Sequence, residues 1–220
     1  MQPSPLSASQ IEKLVEQNAQ RREAELSAQD QVIRILDALR ASGELDNTFV
    51  MFMSDNGYIL GEHRIRDGKV APYEVANRVP FMVRGPGITP GTRVPDATAQ
   101  VDFAPTVLDM AGLPVPDSVD GISLLSQMRD SSIPLSRPDV LIEATDTGAT
   151  TDPLPWLYHG IVTDHMKYIE RTTGKKELYD LDADPYELVN VVGEPAYATE
   201  QARLAGLLAQ EQWCSGVACR

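Results

Sequence analysis

The sequence predicts an α/β fold that ends in a small antiparallel subdomain with a terminal helix. Three observations predict it. Apolar residues recur at helical spacing before residue 43, unbroken apolar runs of strand length follow, and short β-like runs occupy the last third of the chain. Helices that alternate with strands are typical of α/β domains, whereas short runs separated by turns are typical of antiparallel sheets.

The first element is a long helix, predicted from about Ser9 to Ser42. Apolar side chains recur there every three or four positions, and Gly43 is well placed to cap the helix at its carboxyl end. The stretch up to Glu25 is highly polar, so we expect it to be exposed. The segment therefore reads as a surface helix packed on a sheet, in preference to a coiled-coil partner site.

Two apolar runs follow the helix. Residues 49–53 lack polar alternation, which is typical of a strand buried on both faces of a parallel sheet. A second run, residues 78–83, is closed by a turn at 85–87, although Pro80 is awkward in a central strand. A helix is predicted from Val101 to Ala111, and Gly112 ends it.

Beyond Pro114 the composition changes, because proline and serine are frequent up to residue 138. A hairpin-like turn at Gly174 and Lys175 separates two of the β-like runs, and a last helix is predicted from about 198 to 213. The β-like runs are residues 140–142, 158–162, 166–169 and 177–179. We therefore predict three parts: a polar helical leader (1–21), an α/β part (22–130) and an antiparallel subdomain with the terminal helix (131–220).

The charge balance rules out a simple nucleic-acid binder and argues against docking on an anionic membrane. The 220 residues include 19 Lys and Arg against 32 Asp and Glu, a formal net charge of −13. Nucleic-acid binding and docking on an anionic membrane both need a basic face. No apolar stretch approaches the roughly 18 residues of a membrane span. The first residues lack the basic and apolar regions of a signal peptide, which leaves the compartment open.

Two cysteines, Cys214 and Cys219, lie close together near the carboxyl end. They are too few for a disulfide framework or for a four-cysteine zinc site. They could close one small loop in an oxidising compartment, worth about 2 kcal/mol at most in the chain-entropy model. They could equally be free thiols on a frayed tail.

The most informative residues follow the first apolar run. Asp55 and Asn56 come directly after it, where ligands collect in open α/β sheets, and Gly57 gives the backbone freedom to leave strand geometry. Carboxylate and amide oxygens favour calcium or magnesium over zinc. The same three residues also form a common turn, so they do not establish a metal site by themselves.

Two further residues extend this candidate site. Lys69 lies in a loop that we expect to return to the same strand edge, and a lysine ammonium suits a tetrahedral oxyanion such as sulfate or phosphate. His63 could act as an acid or contact an anion. Each residue type is also common on ordinary surfaces.

Eight short segments, in order and at characteristic spacing, carry a resemblance that runs from about Arg22 to the carboxyl end. They are residues 54–58, 60–63, 68–69, 73–74, 78–80, 84–88, 101–108 and 177–190. Together they resemble the sulfatase family, within the alkaline-phosphatase-like superfamily. The resemblance implies the second half of that family's α/β domain plus its antiparallel subdomain. The segment from Cys214 to Cys219 also looks like the tail of bacterial members.

The resemblance implies roles for three residues. Asp55 and Asn56 correspond to half of a calcium site, and Lys69 corresponds to a lysine that contacts the sulfate group. In sulfatases the nucleophile is a formylglycine hydrate, made from Cys or Ser in a Cys/Ser-x-Pro-x-Arg motif. The nucleophile attacks sulfur in line and the alcohol leaves.

The sequence departs from the family at that motif, because it contains no Cys/Ser-x-Pro-x-Arg and lacks the early Asp-Asp pair of the calcium site. We therefore expect the carboxyl-terminal portion of a calcium-dependent sulfatase, inactive alone, that acts on a sulfate ester when an amino-terminal half completes it. It would be exported if the full-length parent is. A non-catalytic binding module is one alternative. A phosphohydrolase of the same superfamily is another, although such relatives usually have histidine where this chain has Asn56.

Overall fold

The computed structural model describes residues 4–137, 139–146, 148–149 and 155–219. The chain divides into two compact units. The first consists of Met1–Ala71 and Val75–Pro90, and the second of Pro72–Glu74 and Gly91–Arg220. The three-part division made from the sequence stays a prediction.

The long helix α1 of the first unit spans Ala8–Ser42, within one residue of its predicted start. Ser7 Oγ accepts a hydrogen bond from the Gln10 backbone, and the Gln10 side chain accepts one from the Ser7 backbone, which forms a capping box. Gly43 ends the helix in the left-handed conformation, as predicted. These local signals fix both ends of α1.

The sides of α1 are mostly exposed, including its predicted polar first part. Leu14 is the buried residue of the helix, whereas Val15, Leu26, Ile33 and Ile35 face solvent. The expected packing of α1 on a sheet is therefore not found among the described residues. Apolar spacing identifies the helix but does not say whether another element covers it.

Strands β1 (Val50–Met53) and β2 (Phe81–Arg84) of the first unit form a two-stranded antiparallel sheet. Phe52 lies opposite Met82, and both side chains are exposed, by 43% and 58%. The expectation of a parallel strand buried on both faces is wrong for the described residues. An unbroken apolar run shows that both faces are apolar, but it specifies neither the direction of the partner strand nor a cover for each face.

The second unit begins its regular structure with a 3-10 turn at Gln100–Asp102 and helix α3 at Phe103–Met110, close to the predicted helix. (The four-residue helix α2, Glu74–Asn77, precedes them in the chain.) Asp102 is fully buried and accepts hydrogen bonds from the backbones of Ala99 and Ile122. Its carboxylate also pairs with Arg137 Nη2 at 2.7 Å. Asp102 thus connects the backbone at Ala99 and at Ile122 with the side chain of Arg137, which lies 35 residues away in the sequence. Helix α4, Leu125–Arg129, follows.

A four-stranded antiparallel sheet forms the core of the second unit. Its strands lie side by side in chain order: β3 (Val140–Thr145), β4 (Trp156–Val162), β5 (Met166–Arg171) and β6 (Lys176–Asp180). Gly174 takes a left-handed conformation in the β5–β6 turn. Helix α5, Ala198–Glu211, buries Leu204 and Leu208 against sheet residues Ile161, Tyr168 and Leu178. The β-like runs and the last helix are confirmed here as an antiparallel subdomain.

The segment from Cys214 to Cys219 is held within the second unit by a disulfide and by backbone hydrogen bonds. Cys214 and Cys219 are joined in a disulfide. Within that loop, Gly216 donates its backbone N–H to the Asp120 carboxylate, and Val217 donates to the Asp117 carbonyl at 2.9 Å. A side chain at Gly216 would meet the Asp117 carbonyl at 2.2 Å. Among the described residues, no helix has both the length and the apolarity needed to cross a membrane.

Candidate functional site

The candidate site begins where β1 ends, in the first unit. Asp55 is exposed there. Ser54 Oγ donates to the Asn56 carbonyl at 2.9 Å, which closes a tight turn. Asn56 Nδ2 donates to the Gly57 carbonyl at 2.8 Å, so the Asn56 Oδ1 atom points the other way. The turn therefore presents one carboxylate and one amide oxygen from adjacent residues.

Gly57 holds this turn against the chain at residues 75 and 76. Gly57 and Tyr58 donate their backbone N–H groups to the Ala76 and Val75 carbonyls at 2.8 and 3.0 Å. A Cβ atom at position 57 would lie 2.1 Å from the Val75 oxygen. The chain leaves strand geometry at this turn, as expected, but the φ of Gly57 is not in the left-handed region, so no positive φ requires glycine here. The residue is small because another backbone passes beside it.

Lys69 is brought back to this turn by the loop that follows. Ile59 pairs with Gly68 in an antiparallel bridge, with the Ile59 N–H donating to the Gly68 carbonyl at 2.7 Å. Lys69 Nζ then donates to Asn56 Oδ1 at 3.0 Å. The expected return of the loop is confirmed, and it places an ammonium group directly beside the amide oxygen.

His63 lies in the same loop, in a 3-10 turn of Glu62–Arg64. It is half-buried and takes a left-handed backbone conformation (φ 52°), as does Arg64 (φ 61°). Two consecutive non-glycine residues in this region are uncommon. The role of His63 in binding an anion stays a prediction.

The oxygen donors of the site fit a hard divalent cation such as calcium. Asn56 Oδ1 has two lone pairs, so it can accept from Lys69 and still ligate a cation. Calcium takes six to eight oxygen ligands. Nowhere in the described ranges do three or more His, Cys, Asp or Glu residues form a metal-binding group. Asp55 and Asn56 alone could therefore supply only part of the coordination shell of such an ion.

Tyr58 links the same turn to α1. The Arg21 guanidinium carbon lies 3.6 Å from the centroid of the Tyr58 ring, a cation–π contact. This contact fixes the side chain that directly follows the Asp55–Gly57 turn. It was not predicted from the sequence, because cation–π pairs between distant residues leave no local pattern.

A second polar cluster, which sequence reasoning also missed, lies within the second unit. Lys167 is fully buried on β5, and its Nζ lies 2.7 Å from both Glu74 Oε1 and Glu187 Oε1. Burial raises the pKa of Glu187, although the Lys167 ammonium and the backbone N–H of Glu74 both act against that rise. The one available signal was a lysine inside the apolar run of residues 166–169.

A third group of polar side chains surrounds Glu177 in the second unit. Its carboxylate accepts from Arg171, from the Tyr179 hydroxyl at 2.8 Å and from the Tyr73 hydroxyl at 3.3 Å. Burial alone would raise the pKa of Glu177, but these donors together outweigh it and lower the pKa. Glu177 is therefore held as a carboxylate.

Comparison with known families identifies the chain. A model of the family described as N-sulphoglucosamine sulphohydrolase, C-terminal, matches residues 61–213. The chain belongs to the sulfatase family. The match includes Lys69 and the whole four-stranded sheet, and it begins after Asp55 and Asn56.

Curated sulfatases are similar to nearly all of this chain. Human N-acetylglucosamine-6-sulfatase is 32% identical over 250 aligned positions, which cover 99% of this chain and 44% of the human protein. An arylsulfatase of Chlamydomonas reinhardtii is 33% identical over 86% of this chain and 33% of its own length. The sulfatase chain thus spans less than half the length of these relatives.

Solved structures agree with the fold. One protein, in complex with its substrate D-glucosamine-2-N,6-O-disulfate, has a TM-score of 0.77 and 34% identity over 85% of this chain and 38% of that one. The phosphonate monoester hydrolase of Agrobacterium radiobacter has a TM-score of 0.70 and 30% identity over 82% and 38%. The predicted carboxyl-terminal portion of a sulfatase domain is confirmed.

Proposed function

We propose that this chain is the carboxyl-terminal part of a calcium-dependent sulfatase that hydrolyses sulfate esters. Asp55 and Asn56 provide two of the calcium ligands, and Lys69 contacts the sulfate group. A calcium ion bound there would offset negative charge on sulfate oxygens. The observation that carries the proposal is the 3.0 Å contact of Lys69 Nζ with Asn56 Oδ1.

That contact matters because it places the group proposed to hold the sulfate beside the groups proposed to bind calcium. The ammonium group of Lys69 is a compact donor that can hold an oxyanion and stabilise charge that develops on a departing oxygen. The oxygens of Asp55 and Asn56 suit a hard cation. A sulfate ester needs both kinds of group, since its oxygens carry negative charge before and during cleavage.

We further propose that the isolated chain does not turn over. Two adjacent oxygen ligands leave a divalent ion under-coordinated, and the sequence contains no motif that would yield a formylglycine nucleophile. The missing ligands and the nucleophile would come from an amino-terminal half, in keeping with the 33–44% of their length over which the two relatives match.

A sulfated amino sugar is the substrate class we favour. The human relative is named for N-acetylglucosamine 6-sulfate, and the structural neighbour was solved with a disulfated glucosamine. Phosphonate or phosphate monoester hydrolysis is the second candidate, favoured by the similarity to phosphonate monoester hydrolases. Asn56 supports the sulfatase candidate, because superfamily phosphohydrolases usually place histidine at a metal position.

The test uses the natural polypeptide that contains these residues, at its full natural length, beside the 220-residue chain. An aryl sulfate, glucosamine 6-sulfate and an aryl phosphonate are assayed with calcium and with a chelator. We expect the natural polypeptide to prefer sulfate esters and to lose activity with the chelator. Lys69→Ala should lower kcat/KM roughly 100-fold or more, the usual cost of losing an oxyanion donor.

Lys175→Ala is the matched control, because Lys175 is an exposed lysine in the β5–β6 turn of the second unit. It should leave kcat/KM within about twofold. Preference for the phosphonate would favour the second candidate. Absence of turnover by the natural polypeptide on all three esters would favour a binding module, and turnover by the 220-residue chain that is lost in Lys69→Ala would overturn the proposed inactivity.

A further inference from the structure

The strongest feature outside the candidate site is the buried lysine of β5. Lys167 has no exposed surface, and its Nζ lies 2.7 Å from one carboxylate oxygen each of Glu74 and Glu187. Both contacts are ion pairs, so opposite charge holds the ammonium group in place. We call these three residues the Lys167 triad.

Burying the Lys167 ammonium is energetically unfavourable, so other interactions must compensate for it. Removing an ammonium from water is strongly unfavourable, and close opposite charges are needed to offset it. Glu187, itself only 2% exposed, also takes a left-handed backbone conformation (φ 55°), which a non-glycine residue rarely adopts. Its second oxygen accepts the backbone N–H of Glu74 at 2.6 Å. Glu187 thus holds Glu74 twice, once directly and once through Lys167.

The two residues before Glu74 are held in the same unit. Pro72 is fully buried. The Tyr73 hydroxyl donates to Glu177 at 3.3 Å, and its ring lies edge-on to Tyr179 with centroids 6.2 Å apart. Tyr73 and Glu74 therefore have fixed partners in the second unit, and the Pro72 side chain between Ala71 and Tyr73 is fully buried.

We propose that Lys167 is a positioning residue that clamps the segment Pro72–Glu74. That segment begins three residues after Lys69 in the chain. The clamp therefore fixes the carboxyl end of the short stretch that carries the Lys69 ammonium. The link to Lys69 rests on the proposed function, whereas the clamp itself rests on the triad alone.

The clamp is tested in the 220-residue chain by hydrogen exchange at the Glu74 amide. Lys167→Met keeps the length of the side chain and removes its charge, so exchange at Glu74 should rise at least tenfold. Lys167→Arg can reach both carboxylates and should restore much of the protection. Lys176→Met removes an exposed lysine paired with Glu170 on the neighbouring strand and should leave Glu74 unchanged.

General destabilisation could also raise exchange, so a second control is needed. Leu208→Ala weakens the core between α5 and the sheet but does not alter the triad. It should raise exchange throughout the unit, whereas Lys167→Met should raise it most at Glu74. If Lys167→Met does not fold, Glu74→Gln is used, because it removes one charge and keeps the backbone N–H. Unchanged exchange at Glu74 in the folded variant would overturn the clamp.

The link to Lys69 is tested by steady-state kinetics of the full-length natural polypeptide on an aryl sulfate. Lys167→Met should lower kcat at least tenfold with KM changed less than threefold, and Lys167→Arg should recover part of kcat. If exchange at Glu74 rises but kcat holds within twofold, the link to Lys69 is wrong. If the wild-type polypeptide does not turn over, the proposed function and this link fall together, and the exchange experiment still decides the clamp.

Discussion

Lys69 donates a hydrogen bond to the Oδ1 atom of Asn56 over 3.0 Å, although 13 residues separate them. The contact depends on two backbone arrangements, the bridge between Ile59 and Gly68 and the close approach of Gly57 to residues 75 and 76. Neither arrangement involves the side chains of Asn56 and Lys69. The geometry of the site is thus determined by backbone packing around it, and the polar groups are carried on that framework.

The buried pair of Asp102 and Arg137 should dominate the stability of the second unit. Asp102→Ala leaves the Arg137 guanidinium buried without its carboxylate and removes the acceptor for two backbone N–H groups. We expect a loss of about 3–5 kcal/mol in the free energy of unfolding, measured by urea denaturation. Asp46→Ala breaks the exposed pair with Arg84 and should cost less than about 1 kcal/mol. Equal losses in the two variants would contradict this.

Glu187 should make the protein less stable as pH rises from mildly acidic to neutral. Burial raises the pKa of Glu187, so the folded state binds its proton more tightly than the unfolded state does. Stability from this group is full below the ordinary glutamate pKa of 4.5 and is lost as pH rises through the folded pKa. Glu187→Gln should flatten that part of the profile, measured as the free energy of unfolding between about pH 4.5 and 7.

Glu177 provides the control of opposite sign for that experiment. Its donors outweigh the effect of burial and lower its pKa, so its contribution to stability is present above the ordinary glutamate value and is lost as pH falls. Glu177→Gln should therefore remove part of the loss of stability on acidification. If both variants change the profile in the same direction, the assignment for Glu187 is wrong.

Reduction of the disulfide between Cys214 and Cys219 should loosen the end of the chain with little effect elsewhere. The bond closes a loop of few residues, so the chain-entropy model gives a loss of about 2 kcal/mol or less. The loop contacts at Asp117 and Asp120 should weaken with it. The measurement is urea unfolding with and without a phosphine reductant.

The double variant Cys214→Ser with Cys219→Ser is the matched control, because it has no bond to reduce. Its unfolding free energy should be the same with and without reductant, and close to that of the reduced wild type. A reductant effect of similar size in the double variant would show that the bond is not the cause.

The elements that the sequence predicted well are those whose signals are local. The capping box at Ser7 and the left-handed Gly43 specify both ends of α1, and the turn at Gly174 specifies a hairpin. The local sequence of β1 does not determine whether its partner strand is parallel or antiparallel, because an apolar run is compatible with both. The parallel, buried strand was therefore the wrong prediction.

The roles of the candidate-site residues stay predictions, but the return of the Lys69 loop to the end of the first strand was predicted correctly from the sequence. Asp55, Asn56 and Lys69 were found through residue chemistry and through the spacing of the family motifs. Lys167 was missed, because its partners Glu74 and Glu187 lie far away in the sequence and only the folded sheet brings them together. Charge on a strand is ordinarily read as a solvent-facing position, and a buried triad is the exception to that rule.

The packing of Gly57 affects how the tripeptide of residues 55–57 should be interpreted in related sequences. Gly57 lies where the backbone of Val75 passes beside it, and no side chain fits there. The fold therefore requires this glycine whether or not the neighbouring residues have a chemical role. Under the proposed function, only Asp55 and Asn56 of these three residues contact a cation. A relative that keeps the glycine but replaces Asp55 and Asn56 should therefore be regarded as sharing this architecture without sharing its chemistry.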